Sequence, residues 1–209
     1  MSQQNETLMA AGVVALGLVV AAFVGKPEQA KKGDGCTLEK YKKGNDAGCQ
    51  FLNDPAVCFH ENSVVELNNG EQKSINEIVK GDILKNGSKV QCVVKTLCFE
   101  GKSKFVNVNG LMLTPWHPVK LNGEWAFPAE LGEVEERECK AVYNFVLESG
   151  HIATVNGVEA VTLGHDFKGE VIGHEYFGSQ KVVDDLKKFS TFNSGIVTVA
   201  LGGVREENK

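Results

Sequence analysis

Residues 58–84 read CFHENSVVELNNGEQKSINEIVKGDIL. A cysteine stands directly before an aromatic residue, "SVVEL" (63–67) has the length and β-branched content of a strand, and Asn69-Gly70 supplies a turn. "SINEIVKGD" (74–82) breaks the strand pattern. Its Ser74 and Glu77 have capping-box spacing, and Ile75, Ile78 and Val79 supply an apolar side, which predicts a helical turn. A free cysteine is commonly a small buried hydrophobe. A folded segment that opens on one in mid-chain raises a second reading, that the Val57–Cys58 bond before it is meant to be broken.

The same punctuation continues downstream. Asn-Gly pairs at 69–70, 86–87, 109–110, 122–123 and 156–157 each suit a type I′ hairpin turn, whose central residues need positive φ. Between them run "KVQCVVKTL" (89–97), "KFVNV" (104–108), "LML" (111–113), "AVYNFVLE" (141–148), "HIATV" (151–155) and "VEAVTL" (158–163), all of strand length. An all-β body with one short helical turn is therefore expected over residues 58–162. The remainder, 163–209, reads as an extension packed on that body: "GHDFKGEVIGHEYFG" (164–178) as loop and packing over one edge, "VVDDLKKF" (182–189) as a short helix.

Upstream, residues 8–24, LMAAGVVALGLVVAAFV, carry no charge. At about 1.5 Å per residue they approach the roughly 30 Å of bilayer hydrocarbon. A transmembrane anchor over 8–25, after a short tail at 1–7, is the expectation. A signal peptide would open on basic residues, whereas MSQQNET holds only Glu6. Lys26, Lys31 and Lys32 follow the run while nothing basic precedes it, which places the body of this single-pass membrane protein in the cytosol. Residues 26–57 turn polar and form the linker.

Composition excludes several classes. A net charge of −5 over 209 residues leaves no basic footprint for nucleic acid. Six cysteines, at 36, 49, 58, 92, 98 and 139, form no CxxC pair, and His165 and His174 lack a third ligand at recognisable spacing, so neither metal nor cofactor is expected. Cys36 and Cys49 enclose a polar loop that a disulfide can close in an oxidising compartment; otherwise they are two thiols in a linker.

Two further segments bear chemistry. In "LTPWHPV" (113–119), Thr114 and His117 lie three apart with Pro115 and Pro118 fixing the backbone. In "VYNFVLESGHIATVNGVEAV" (142–161), His151 sits in a turn between two strands. With the block at 58–84, these resemble, in order and spacing, the Hint domain shared by inteins and the autoprocessing half of hedgehog proteins: a nucleophilic Cys, a T-x-x-H block, and a penultimate block with V-Y-D, a His and an N-G turn. "TPWHPV", "EWAFP", "TLGH" and "YFG" look like the Hint variant attached to von Willebrand A-type proteins. The resemblance implies a horseshoe-like β fold with pseudo-twofold symmetry.

It also implies catalytic residues Cys58, Thr114, His117 and His151. A thiol attacks as thiolate, and Cys58 can reach the Val57 carbonyl through a five-membered ring, giving a thioester. His117, which the resemblance places beside the bond, would protonate the departing nitrogen, and Thr114 would donate to the carbonyl oxygen as charge develops. Full splicing needs a His-Asn pair where this chain has Val161 and Thr162, and Asn144 stands where the family has an Asp. Cys92 stands near the acid that activates sterol in hedgehog domains, so cholesterol transfer is not expected. What remains is release of 1–57 from 58–209, with water, a thiol, an amine or a lipid as acceptor. Because β-branched Val57 crowds the carbonyl, the rival expectation is an idle Hint-fold binding module tethered to a membrane.

Overall fold

The structure is a computed structural model and describes residues 57–200, all within one unit, Gly35–Lys209. The run at 8–24, the linker with Cys36 and Cys49, and residues 201–209 lie outside the described residues. Among those described, no helix is long and apolar enough to cross a membrane.

In chain order the strands are β1 (Phe59–His60), β2 (Val64–Glu66), β3 (Gln72–Ser74), β4 (Val90–Leu97), β5 (Lys102–Val108), β6 (Leu111–Leu113) and β7 (Val119–Leu121). They continue with β8 (Glu124–Ala126), β9 (Glu135–Glu138), β10 (Ala141–Leu147), β11 (Ile152–Val155), β12 (Val158–Val161) and β13 (Ile196–Ala200). Two sheets result, ordered β13-β4-β10-β1-β6-β5-β9 and β3-β2-β11-β12-β7-β8. Two short helices, α1 (Pro128–Leu131) and α2 (Gln180–Lys187), join them.

β10 reads AVYNFVL and is buried at all seven positions, as a continuous apolar run in mid-sheet should be. It pairs antiparallel with β4 along its length and with β1 through Phe59↔Tyr143 and His60↔Val142. On the other side of β1, Phe59 pairs Leu113 of β6. The two-residue β1 is thus held from both flanks, and the buried Phe59 ring anchors it in the main core with Val65, Leu84, Leu113 and Phe145.

Asn109-Gly110, Asn122-Gly123 and Asn156-Gly157 have positive φ at both positions and close two-residue hairpins between β5 and β6, β7 and β8, and β11 and β12. The pairs at 69–70 and 86–87 differ: only the glycines have positive φ. There the asparagine side chains accept the N–H two residues on, Asn69 from Glu71 and Asn86 from Ser88, both at 3.0 Å, an arrangement that suits a wider loop. The helical turn is a single three-residue 3₁₀ turn, Ile75–Glu77, and the Ser74 side chain makes no cap bond. Ser74 ends β3, paired to Val64, and Ile78 is already extended, so one turn delivers Ile75 and Ile78 to the core and stops.

The C-terminal segment builds a second core. Val182, Val183 and Leu186 of α2 pack with Leu163, Tyr176, Phe177 and Phe192 against Cys92, Val94 and Val146 of the large sheet. β13 then adds parallel to β4, Ile196↔Val93 through Ala200↔Leu97. Gly164 permits the close approach: at φ +69° a Cβ would lie 2.5 Å from Val183 Cγ2.

Candidate active site

Cys58 lies between Val57, which leads into β1, and Phe59, which is locked in the sheet. Its N–H donates to Thr114 Oγ1 at 2.9 Å, and its carbonyl accepts the Thr114 N–H at 2.9 Å. The Thr114 hydroxyl also points to that carbonyl, at 3.4 Å. Thr114 is fully buried and held by the tight turn in which the His117 N–H donates to its carbonyl at 3.1 Å.

The carbonyl of Val57 has a different partner. Asn144 Nδ2, from β10, donates to it at 2.5 Å, while Asn144 Oδ1 accepts the Phe145 N–H at 2.6 Å. The second bond fixes which end of the amide faces Val57. The structure does not put the Thr114 hydroxyl on the Val57 oxygen, where a donor was expected: it faces the nitrogen of the Val57–Cys58 peptide, and the group on that oxygen is Asn144. Sequence reading took Asn144 as a lost carboxylate; asking which nearby side chain can donate would have found it.

His117 is completely buried, its ring centroid 4.4 Å from that of Phe59. Nε2 is 2.8 Å from the Val161 carbonyl. Since a carbonyl only accepts, Nε2 carries the proton and Nδ1 the lone pair. Nδ1 is buried without a hydrogen-bond partner. Burial lowers the imidazole to about 4, against the pull of the Val161 carbonyl. Burial also raises the Cys58 thiol to about 12, outweighing help from the Val57 main chain, with Cys139 adding to the rise. The resting site is accordingly uncharged.

His151 is placed elsewhere. It has φ 48° in the β10–β11 turn, its carbonyl accepts the Thr162 N–H at 3.0 Å, and its Nδ1 is buried without a partner, as is the Thr162 hydroxyl. His165 is close enough to feel both His151 and His117, and burial chiefly holds it to about 4. Thr114 and Asn144 thus hold the two ends of the Val57–Cys58 peptide unit, while His117 Nε2 reaches the Val161 carbonyl, next to Thr162, whose N–H is held by the His151 carbonyl. Among the described residues no group of three or more His, Cys, Asp or Glu is arranged to hold a metal ion.

Val57 is buried as well. Its side chain belongs to the second core, the one built by the C-terminal segment. The residue before Cys58 therefore has an apolar seat that the extension helps to form.

A family model described as Vint, a Hint domain, matches residues 57–209. Among solved structures, the DnaB intein from Synechocystis sp. is similar at 14% identity, covering 50% of this chain and 97% of that one, with a TM-score of 0.39. The bacterial intein-like domain from Clostridium thermocellum is similar at 16% identity, covering 51% and 99%, with a TM-score of 0.41. The gp41-1 intein is similar at 14% identity, covering 50% and 98%, with a TM-score of 0.40. No curated protein matches.

Proposed function

The chain belongs to the Hint-domain family, and from that premise we propose that it processes itself: Cys58 attacks the Val57 carbonyl and releases residues 1–57 from 58–209. The observation that carries this reading is that both ends of one peptide unit are held by side chains, the Val57 oxygen by Asn144 Nδ2 and the Cys58 nitrogen by the Thr114 hydroxyl.

In this reading His117 Nδ1 takes the proton from Cys58 Sγ. The Sγ–C bond forms, and Asn144 Nδ2 stabilises the oxyanion on the Val57 carbonyl. The C–N bond then breaks as the imidazolium returns its proton to the Cys58 nitrogen, leaving a thioester and a free amine. Water gives a Val57 carboxylate and restores the Cys58 thiol; a thiol, amine or lipid hydroxyl would leave Val57 joined to that acceptor. The uncharged run at 8–24 supports an anchor on the released piece, and Lys26, Lys31 and Lys32 after it support a body on the cytosolic side.

The full chain, tagged at each end, is incubated with and without hydroxylamine or dithiothreitol beside Cys58→Ala, and intact masses are read. Cleavage at Val57–Cys58 that accelerates with nucleophile and vanishes in the variant is expected, and the unassisted product mass names the acceptor. One observation favours the rival reading, an idle membrane-tethered binding module: the thiol is buried and pushed up to about 12. A single uncleaved mass under every condition would decide for that module.

A further inference from the structure

Cys98 and Cys139 meet beside Cys58 and have no part in the proposed cleavage. Cys98 follows the last residue of β4 and Cys139 the last residue of β9. The Cys98 N–H donates to the Lys140 carbonyl at 3.0 Å, and the Cys139 N–H donates to the Gly101 carbonyl at 2.8 Å. These two bonds run in opposite directions between the same two segments, pairing 98 with 140 and 101 with 139, and so bring Cys98 against the cluster that holds Cys139. The Cys139 thiol donates to the Ala141 carbonyl at 3.0 Å.

Their surroundings separate their roles. Cys139 is buried in a small cluster with Cys58, Phe105 and Val142, and partly exposed Cys98 packs on its outer side. The His60 ring, whose Nδ1 accepts the Asn62 N–H at 3.0 Å, lies close enough to Cys139 for each to shift the other's titration. Cys98 and then His60 pull Cys139 below the ordinary thiol range, while Cys139 pushes Cys98 up. An accessible thiol thus sits against a buried, more acidic one, on a backbone already tied at that point. Disulfides form where two such chains are fixed at short range, by attack of one sulfur on a disulfide and resolution by the second.

We propose that Cys98 and Cys139 are a redox-active dithiol that closes to an intramolecular disulfide by exchange with a small disulfide such as oxidised glutathione, leaving Cys58 as a free thiol. Cys98 Sγ attacks one sulfur of the oxidised glutathione and expels one glutathione thiol. Cys139 Sγ then attacks Cys98 Sγ and expels the second. One S–S bond breaks and one forms, and the two electrons and two protons lost by the protein thiols leave on the two glutathione molecules.

The purified full chain is treated with oxidised glutathione, its remaining thiols are alkylated after unfolding, and its peptides are mapped by mass. The expected product is a cross-linked peptide pair carrying Cys98 and Cys139, lighter by two hydrogens, with Cys58 and Cys92 recovered alkylated; mapping separates these from Cys36 and Cys49. In Cys139→Ser the glutathione should remain on Cys98, and in Cys98→Ser Cys139 should take up none because it is buried. Recovery of Cys98 and Cys139 as free thiols, or linkage of either to Cys58 or Cys92, would overturn the assignment, and mapping of the unaltered chain decides this even if a variant fails to fold.

Discussion

Asn144 Nδ2 donates to the Val57 carbonyl oxygen at 2.5 Å from a strand that is buried along its whole length. The donor cannot swing away, because its own oxygen is held by the Phe145 N–H. A donor fixed before charge develops is worth most in a dry site, and removing one typically costs 10²–10³ in rate. Asn144→Ala should therefore slow hydroxylamine-driven cleavage at Val57–Cys58 by roughly 10²-fold. Asn144→Asp tests the donor itself: desolvation against the Val57 carbonyl holds the buried acid protonated, so it can still donate, and cleavage should be kept better than in Asn144→Ala and fall as rising pH removes that proton. Cleavage by Asn144→Ala at the unaltered rate would show that the contact is structural only.

Thr114 answers to the nitrogen side. Thr114→Val keeps the shape but strands the buried Cys58 N–H, at a cost of about 1–3 kcal/mol. Thr114→Ser restores the hydroxyl and should restore most of the stability. Urea unfolding of the two variants checks this, and equal midpoints would remove Thr114 from the account of how Cys58 is positioned.

Acid should weaken the fold through His117. Burial holds the folded imidazole at about 4, whereas an unfolded one titrates near ~6.5. Between these values the unfolded chain binds a proton that the folded chain refuses, so this contribution is intact above about pH 6.5 and is lost as pH falls toward 4, by about 3 kcal/mol for a shift of this size. His165, also held low by burial, acts in the same direction. Urea midpoints at pH 7 and 4.5 should differ more for the unaltered chain than for His117→Gln. Identical pH sensitivity would mean that His117 is not the group refusing the proton.

Sequence made parts of this legible and hid others for physical reasons. Cys58, Thr114 and His117 announce themselves by residue type and spacing, and the long strands by apolar runs. β9 reads EERE and is exposed at all four positions, because an edge strand with both faces wet has no apolar alternation to read. β1, of two residues, is set by its neighbours rather than by itself. The parallel pairing of β13 with β4 depends on a partner about a hundred residues upstream, which no local pattern states. Asn144 was hidden differently: an amide in an acid's place reads as a loss until the atom it faces is known.

The C-terminal segment should unfold with the body rather than before it. β13 extends the large sheet through β4, and α2 covers that sheet with Leu186, 1% exposed, packed in the second core with Val57. Leu186→Ala removes buried volume there and should cost about 2–5 kcal/mol, which for a domain of this size lowers the melting temperature by roughly 5–15 °C. The same change loosens the apolar seat of Val57, so cleavage measured well below that melting temperature should also slow, although residue 186 is far from Cys58 in sequence. Calorimetry should show one shifted transition. Two separate transitions, or a stability loss with cleavage untouched, would mean that the extension is an independent appendage and that Val57 is positioned by the body alone.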